Sequence, residues 1–383
     1  MTTRIQPLDV IEHLSVEIGP RLAGTEGSRL AAEYIAELMD SIGLEVRLQP
    51  FTYVGWSYEC MPRLNVVTPV EESIVCAPRA YTAASPGPIT GRVWRDGYIS
   101  VIPDLFGFER LAVGEAGERQ ASILISPTPG LPPWSFPDTD LRFREPALHI
   151  SSEDGARLLR LLDEGEVTVR IETFGHDLPN VTDSNVIGFV EGSNPDRVVV
   201  GSHYDSVWNS PGATDNASGV AVMLETAQRV VANPMDCNAE FIAFAAEECW
   251  LFGSHYFVRE AQFRDEIDIY KGMVNCDPLG PGDLLECWVG PDELKTRVSD
   301  ILNELRIPDS YSVEWRQAVD GSDHYPFWLA GVPACFPIWM PHTVEYHQPS
   351  DTMEHVKLHK LEITMEIVEA VARNLASNAR ITI

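Results

Sequence analysis

The chain has 383 residues, of which 44% are hydrophobic, and its 57 acidic residues against 28 basic ones give a formal net charge of −29. This length suits one large α/β domain with an insertion, or two domains, and the composition is typical of a globular protein. The acidic excess repels nucleic acid and anionic membrane surfaces, so neither is an expected partner.

The sequence contains no apolar run of about 18 residues, the length that a membrane-spanning helix needs. The segment from Met1 to Leu14 lacks the apolar centre of a signal peptide. Seven cysteines without a CxxC pair predict reduced, mostly buried thiols rather than disulfides or a thiolate zinc site. We therefore expect a cytoplasmic protein, and the sequence leaves open whether it forms a homo-oligomer.

After a short opening helix, the periodicity predicts a helix over Thr25 to Ser41, ended by Gly43, and then a strand over Leu44 to Tyr53. The predicted apolar face of this helix consists of Leu30, Tyr34, Ile35, Leu38 and Met39.

From Gly55 to Phe174 the chain is rich in proline and glycine and contains short β-like runs such as Ala121 to Ile125 and Ala147 to Ile150. This texture indicates an inserted, mainly β domain. The predicted domains are therefore a catalytic domain formed by residues 1–54 and 175–383, and an insertion formed by residues 55–174.

From Ser184 onward, apolar runs alternate with helical patterns. Strands are predicted at 185–190, 197–201, 239–245, 272–276 and 332–338, and helices at 218–231, 254–261 and 358–375. The predicted fold class is therefore α/β, with a mixed central sheet flanked by helices, in which ligands collect at the carboxyl ends of strands.

Polar residues follow several of these strands. His203 and Asp205 come directly after the strand at 197–201, and residues two apart on an extended segment project to the same side. A metal-binding imidazole commonly has its other ring nitrogen held by a carboxylate, so Asp205 could orient His203. Taken alone, an HxD sequence is also typical of an ordinary polar loop.

Other acids and one histidine fit the same pattern. Asp215 lies in a turn that opens a helix, where Asn216 or Ser218 could cap it, and an acid there could bridge two cations. Glu247 and Glu248 follow an apolar strand, so that one could bind metal while the other holds the attacking water.

Asp277 follows the strand at 272–276, and His347 lies in the sequence Glu345-Tyr-His-Gln-Pro-Ser-Asp-Thr352. Imidazole and carboxylate ligands without thiolate suit a pair of zinc ions with open positions for water.

The pattern resembles the co-catalytic di-zinc peptidases typified by bacterial leucyl aminopeptidase, aminopeptidase Y and the glutamate carboxypeptidases. The segments that carry the resemblance are GSHYDS (201–206), PGATDNASG (211–219), FAAEECWLFGS (244–254), NCDPLG (275–280), the GSDH sequence at 321–324 and YHQPSDT (346–352). Together they span most of residues 184–383.

The resemblance implies the zinc-exopeptidase fold, two Zn²⁺ ions and a metallo-exopeptidase activity that releases N-terminal amino acids. It places His203 and Asp277 on one zinc, Glu248 and His347 on the other, and Asp215 between them. In the implied reaction a metal-bridging hydroxide attacks the peptide carbonyl, with Glu247 as the general base.

The resemblance further implies that Asp205 is the carboxylate behind His203 and that the peptide bond from Asp215 to Asn216 is cis. Tyr346 is expected to line the cleft. The segments 145–155 and 158–165 look like the end of a protease-associated domain, so the insertion is expected to be a shortened lid of that kind. Thr214, where many relatives have a second acid, and Cys249-Trp250 depart from the family pattern.

Several alternatives stay open. His342 could replace His347 as a ligand, whereas His255 and His355 are weaker competitors and His324 has a structural interpretation. The same site could serve a carboxypeptidase, a dipeptidase or an amidohydrolase acting on a small acylated substrate, with Arg316 or Arg144 binding a carboxylate.

The aminoacylase-type relatives place a long gap between their first two ligands, but only 12 residues separate His203 from Asp215 here. A binding module without activity and a single-zinc glutaminyl cyclase are further alternatives, which the complete ligand set disfavours.

Overall fold

The computed structural model describes residues 4–102, 106–115, 117–127, 130, 145–277, 282–340 and 345–381. Its packing divides the chain into two compact units. The first unit contains residues 1–52 and 182–383, and the second contains residues 53–181. These boundaries lie a few residues from those expected from the sequence. The assignment of the second unit to the protease-associated type stays a prediction.

The helices of the described residues are α1 Pro7–Glu12, α2 Glu26–Ser41, α3 Ser152–Glu164, α4 Ser218–Ala232, α5 Phe252–Phe263, α6 Asp292–Leu305, α7 His324–Leu329 and α8 Leu358–Ser377. Short π-helical turns cover His13–Ile18 and Ala213–Ala217, and 3₁₀ turns cover Ile267–Ile269 and Met353–His355.

The strands of the first sheet are β1 Glu45–Tyr58, β10 Gly175–Val190, β11 Asn194–His203, β12 Cys237–Phe244, β13 Tyr270–Asn275, β14 Leu284–Gly290, β15 Ser312–Gln317 and β16 Ala334–Met340. Those of the second sheet are β2 Arg63–Thr68, β3 Glu72–Ile74, β4 Cys76–Pro78, β5 Ile89–Ile102, β6 Phe106–Glu115, β7 Glu118–Ile125, β8 Ala147–Ile150 and β9 Thr168–Glu172.

The sheet of the first unit has the order β1-β10-β12-β11-β13-β16-β14-β15. Strands β12, β11, β13 and β16 run parallel to one another, whereas β10 and β14 are antiparallel to their neighbours β12 and β16. The sheet is therefore mixed, and the predicted α/β fold class is confirmed. Because β11, β12 and β13 are adjacent and parallel, the segments that follow them leave the sheet at the same edge.

Helices cover both faces of this sheet. On one face, α5 and α7 contribute Phe257 and Phe327 to a core that includes Phe244 of β12 and Met273 of β13. On the other face, α8 packs closely on β13, where a Cβ at Gly272 would lie only 2.7 Å from Leu375. Burial on both faces explains why these strands appear in the sequence as nearly continuous apolar runs.

The strands and helices predicted from the sequence are confirmed, with shifts at their ends. Gly43 ends α2 in a left-handed conformation at φ +97°, as expected. The predicted apolar face of α2 is partly wrong, because Leu30 is exposed and the buried side is centred on Ala31, Ile35 and Met39. The elements β14, α6, β15 and α7 had not been predicted.

The second unit is a mainly β structure with one helix among its described residues. Its core is formed by the inner faces of the second sheet together with Leu158 of α3. Ser151 caps α3 by accepting a hydrogen bond from the Asp154 amide at 3.0 Å. Across the described part of the chain, no helix combines the length and the apolarity that crossing a bilayer requires.

Candidate metal centre

The predicted ligands lie at the carboxyl edge of the parallel strands. His203 is the last residue of β11, Glu247 and Glu248 follow β12, and Asp277 follows β13. All four side chains are buried. Adjacent parallel strands bring these residues together although they are far apart in sequence.

Asp215 and His347 reach the same place from two connections. Asp215 lies in the turn that precedes α4, and its peptide bond to Asn216 is cis, as the resemblance implied. The N-cap position of α4 is Ala217, and the side-chain oxygen of Asn216, just before it, accepts a hydrogen bond from the Gly219 amide at 3.0 Å. His347 lies between β16 and α8 and is likewise buried.

The two oxygens of the Asp215 carboxylate face different histidines. Oδ1 lies 3.2 Å from Nε2 of His203, and Oδ2 lies 3.1 Å from Nε2 of His347. Nε2 of His203 is also 3.2 Å from Oδ1 of Asp277, and Nε2 of His347 is 3.4 Å from Oε2 of Glu248. The five groups therefore form two neighbouring sets that share Asp215.

This arrangement fits metal ions. The ligand atoms of His203, Asp215 and Asp277 lie within 4.8 Å of one another, and so do those of Asp215, Glu248 and His347. Oε1 of Glu248 is buried and has no hydrogen-bond partner among the described residues. Nitrogen and oxygen donors in sets of three leave a position open, which suits zinc in a site where a further ligand must bind.

Burial and crowding disturb the protonation of these groups. Burial raises the pKa of Glu247 and that of Glu248 well above the usual range, and neighbouring carboxylates add to both shifts. Burial opposes the charge of His203, but the fields of Asp277 and Glu247 outweigh it and raise the pKa of His203. Cations among these acids would relieve the cost of burying several like charges together.

Asp205 lies beside Nδ1 of His203 and also holds a second group. Nδ1 of His203 lies 3.2 Å from the main-chain oxygen of Asp205 and 3.6 Å from its carboxylate. The carboxylate itself accepts hydrogen bonds from the amides of Glu247 and Glu248, at 3.1 and 3.2 Å. Asp205 therefore links the His203 loop to the turn that carries both glutamates.

Asp351 links the other two loops, and the sequence analysis had not assigned it a role. Its carboxylate accepts hydrogen bonds from the amide and the hydroxyl of Thr214, at 2.9 and 2.7 Å, and from the amide of Asp215 at 3.0 Å. Its main-chain oxygen accepts one from the Ala213 amide. Because Asp351 follows His347 by four residues, it ties the loop of that ligand to the loop of Asp215.

A third support begins in the GSDH sequence. The Ser322 hydroxyl donates to Oδ2 of Asp277 at 2.5 Å and accepts from the Asn275 side-chain amide at 2.7 Å. This leaves Oδ1 of Asp277 facing His203. Outer groups of this kind orient metal ligands. The motif could have indicated Ser322, but nothing local in the sequence shows which hydroxyl contacts which acid.

Those competing histidines that the structure describes lie outside these sets. His324 is buried against Trp288 and Phe336, at ring-centroid distances of 6.0 and 4.9 Å. Neither His255 nor His355 belongs to a ligand set of the described residues. His342 lies outside the described residues.

Three further expectations concern the surroundings of the ligands. Tyr346 stacks on the ring of His347 at 3.9 Å. Trp250 has a left-handed backbone at φ +80° and packs edge-on against Phe252. Arg316 lies 3.4 Å from Glu286 and over the Trp288 ring, so its charge already has a partner. Arg144 lies outside the described residues.

The comparisons with known proteins agree with this geometry. The model of "Peptidase family M28" matches residues 185–372. Aminopeptidase YwaD of Bacillus subtilis (strain 168) is 31% identical over 95% of this chain and 84% of its own length.

Two solved structures resemble the chain over nearly its whole length. The aminopeptidase from Aneurinibacillus sp. strain AM-1 has a TM-score of 0.74 at 26% identity, covering 99% of this chain and 96% of its own. BSAP, a zinc aminopeptidase from Bacillus subtilis, has a TM-score of 0.75 at 26% identity, covering 96% and 94%.

The fold and the ligand sets together define an α/β protein of the zinc-exopeptidase type. Within that class, the similarity to YwaD over almost the whole chain shows that this chain belongs to peptidase family M28.

Proposed function

We propose that this protein is a zinc-dependent aminopeptidase that binds two zinc ions and releases N-terminal amino acids from peptides. The observation that carries the proposal is the Asp215 carboxylate, whose two oxygens face His203 and His347 separately. The family supports it, because relatives that match the chain from end to end are named aminopeptidases.

In this proposal His203 and Asp277 hold one ion, Glu248 and His347 hold the other, and Asp215 contacts both. Zinc, when bound, would lower the pKa of a water molecule and polarise the scissile carbonyl. Asp205, Asp351 and Ser322 hold the ligand loops at the distances described above, so that little rearrangement is needed on binding.

Glu247 is the proposed general base. Its Oε2 lies 4.0 Å from Nε2 of His203. It could form a ligand group with His203 and Glu248, but it belongs to neither of the two sets that share Asp215. Burial raises its pKa well above the usual range for a glutamate, which makes it a better proton acceptor. It would take the proton of the attacking water and deliver it to the leaving amine.

The relatives favour an amino terminus as substrate, because those that match the chain over almost its whole length are named aminopeptidases. Because Arg316 is already paired with Glu286, no observation here favours the carboxypeptidase, dipeptidase or amidohydrolase alternative.

The test combines zinc analysis with a substrate pair. We expect about two zinc ions per chain, as in other two-metal sites, and rapid hydrolysis of amino-acid p-nitroanilides with a free amino group. The matching N-acetylated anilides should be poor substrates. Equal turnover of free and acetylated substrates would contradict the aminopeptidase assignment, and a chain that binds no zinc would contradict the metal centre itself.

We also propose a cytoplasmic location. All seven cysteines are free and six of them are buried, which supports a reducing compartment. Fractionation of the native host with cytoplasmic and secreted marker proteins tests this, and recovery of the protein with the secreted markers would contradict it.

A further inference from the structure

Arg21 is a buried cation in the N-terminal segment, outside residues 185–372 that the family model matches. It lies between the helical segment that ends at Ile18 and the start of α2 at Glu26. Its exposed fraction is 0%. A fully buried arginine is unusual unless every N–H group has an acceptor.

The guanidinium group contacts both loops that carry the first two ligands. Nε donates to the Tyr204 oxygen at 2.8 Å, Nη1 to the Pro211 oxygen at 2.6 Å and Nη2 to the Gly212 oxygen at 3.0 Å. Tyr204 directly follows the ligand His203, and Gly212 precedes Asp215 by three residues. One side chain therefore ties the loop after β11 to the turn that holds the shared carboxylate.

The remaining side-chain contacts fasten Arg21 to its own segment. Nη1 also donates to the oxygens of Leu14 and Gly19, both at 2.9 Å. The Arg21 amide adds one more contact to the loop after β11, because it donates to the Ser206 hydroxyl at 3.0 Å. Each oxygen that accepts a hydrogen bond from the Arg21 side chain belongs to a main-chain carbonyl and not to a carboxylate. Nη1 has two hydrogens for three carbonyls, so one of these hydrogens is shared. The five N–H groups of arginine can still reach all these carbonyls, whereas the three of a lysine ammonium cannot.

The positive charge persists and acts on the metal centre at a distance. Burial lowers the pKa of Arg21 to about 10, while the fields of Asp351, Asp205, Asp215 and Glu248 raise it, so the group stays protonated near neutral pH. Its charge is thus compensated by the acids of the site rather than by a contact partner.

We propose that Arg21 is a positioning residue of the metal centre, which fixes the loops of His203 and Asp215 relative to each other. This inference rests on the metal centre proposed above. Loss of the fork would let these loops separate and weaken metal binding. Outer groups of metal sites typically change metal affinity about 10- to 100-fold when they are replaced.

The experiment uses the full-length protein freed of metal and titrated with Co²⁺, whose visible absorption reports ligand geometry. The variants are Arg21→Lys and Arg21→Met. The matched control is Lys271→Met, because Lys271 is also a buried cation of the first unit and donates only to main-chain oxygens, those of Ala376 and Asn378. Lys271 lies near the start of β13, whereas the ligand Asp277 follows its end.

We expect Arg21→Lys to raise the dissociation constant for Co²⁺ about 10- to 100-fold and to alter the absorption spectrum. Lys271→Met should lower the thermal midpoint and leave both quantities unchanged. Wild-type Co²⁺ affinity and spectrum in Arg21→Lys would overturn the proposal, whatever its thermal midpoint.

Failure of Arg21→Lys to fold even with metal present would overturn it too, because the residue would then be a general structural one. If Arg21→Met does not fold, Arg21→Lys alone decides. If the wild-type protein itself binds no Co²⁺, the metal centre fails, which is distinct from failure of the Arg21 proposal.

Discussion

The two units of the chain bury charged side chains to very different extents. Among the described residues of the second unit, Arg79 and His149 are the only buried members of the group formed by acids, lysines, arginines and histidines. In the first unit the buried members are Arg21, Asp183, His203, Asp205, Asp215, Glu240, Glu247, Glu248, Lys271, Asp277, Glu286, Asp323, His324, His347, Asp351 and Lys360.

This difference distinguishes the first unit, which contains the proposed metal centre, from the second unit. The second unit keeps its charges in exposed pairs, such as Arg95 with Asp163, around an apolar core. The first unit retains buried acids that oppose one another, which a fold selected for stability alone would avoid. Changes at the buried acids of the proposed site should therefore affect chemistry and metal binding, whereas changes at buried positions of the second unit should affect stability.

The largest effect is expected at the proposed base. Glu247→Gln removes the proton acceptor without removing a ligand, so kcat should fall about 10²- to 10⁴-fold while zinc content stays unchanged. The measurement is steady-state hydrolysis of an amino-acid anilide together with metal analysis.

Glu240→Gln is the matched control, because Glu240 is a buried glutamate of β12 that pairs with Arg197 at 2.9 Å. It should retain the wild-type kcat. Equal losses in both variants would show that burial of the carboxylate, and not its place in the site, determines the effect.

Truncation of a core side chain in the second unit tests whether changes there affect stability alone. Leu148 of β8 is fully buried, so Leu148→Ala should lower the free energy of unfolding by about 2–5 kcal/mol. Denaturant unfolding measures the loss, and Val75→Ala at an exposed position is the control. The folded variant should bind zinc with wild-type affinity, and a weakened affinity would mean that the second unit contributes to the metal centre.

Asp351→Asn tests the link between the His347 and Asp215 loops. The backbone N–H groups that now donate hydrogen bonds to the carboxylate would face the new side-chain NH₂, which cannot accept them. We therefore expect a 10- to 100-fold weaker zinc affinity, measured by competition with a chelating dye.

Asp183→Asn is the control, because that carboxylate is also buried and accepts hydrogen bonds from the Gly24 amide and the Ser28 hydroxyl rather than from amides of the Asp215 loop. If Asp183→Asn weakens zinc binding as much as Asp351→Asn does, the specific link is wrong.

The smallest expected effect concerns His149, which packs on Phe108 in the second unit. Burial, aided by the field of Arg79, lowers the pKa of His149 well below its ordinary value of 6.5. Below pH 6.5 His149 therefore binds a proton in the unfolded chain but not in the folded chain. Stability is fully present above this pH and falls as the pH decreases.

Between pH 6.5 and pH 5.5, the free energy of unfolding should fall by about 1 kcal/mol less in His149→Leu than in the wild type. Denaturant unfolding at both pH values measures this difference. His176→Leu, at an exposed position of the same unit, is the control variant. Identical pH dependence in wild type and His149→Leu would show that His149 does not stay neutral when folded.

The sequence indicated much of this architecture because its strongest signals are local. The apolar runs of β11, β12 and β13 are long enough to identify buried strands, and His203, Glu247 and Asp277 lie at or just beyond the ends of these strands. Weaker elements such as β14 and α7 were missed because neither carries a clear periodic pattern. The buried face of α2 was misjudged because Leu30 is apolar yet faces solvent.

By itself the sequence determined the fold class, the family resemblance and the residues proposed as ligands, since each depends on the chemistry of a short segment at the end of a strand. Only the tertiary structure decided which groups hold those segments in place. Arg21, Asp351 and Ser322 act through main-chain amides, carbonyls and one carboxylate that are distant in the chain, and the sequence does not encode such contacts in any local pattern. They exist because adjacent parallel strands bring their loops to one edge, where buried donors and acceptors must satisfy one another.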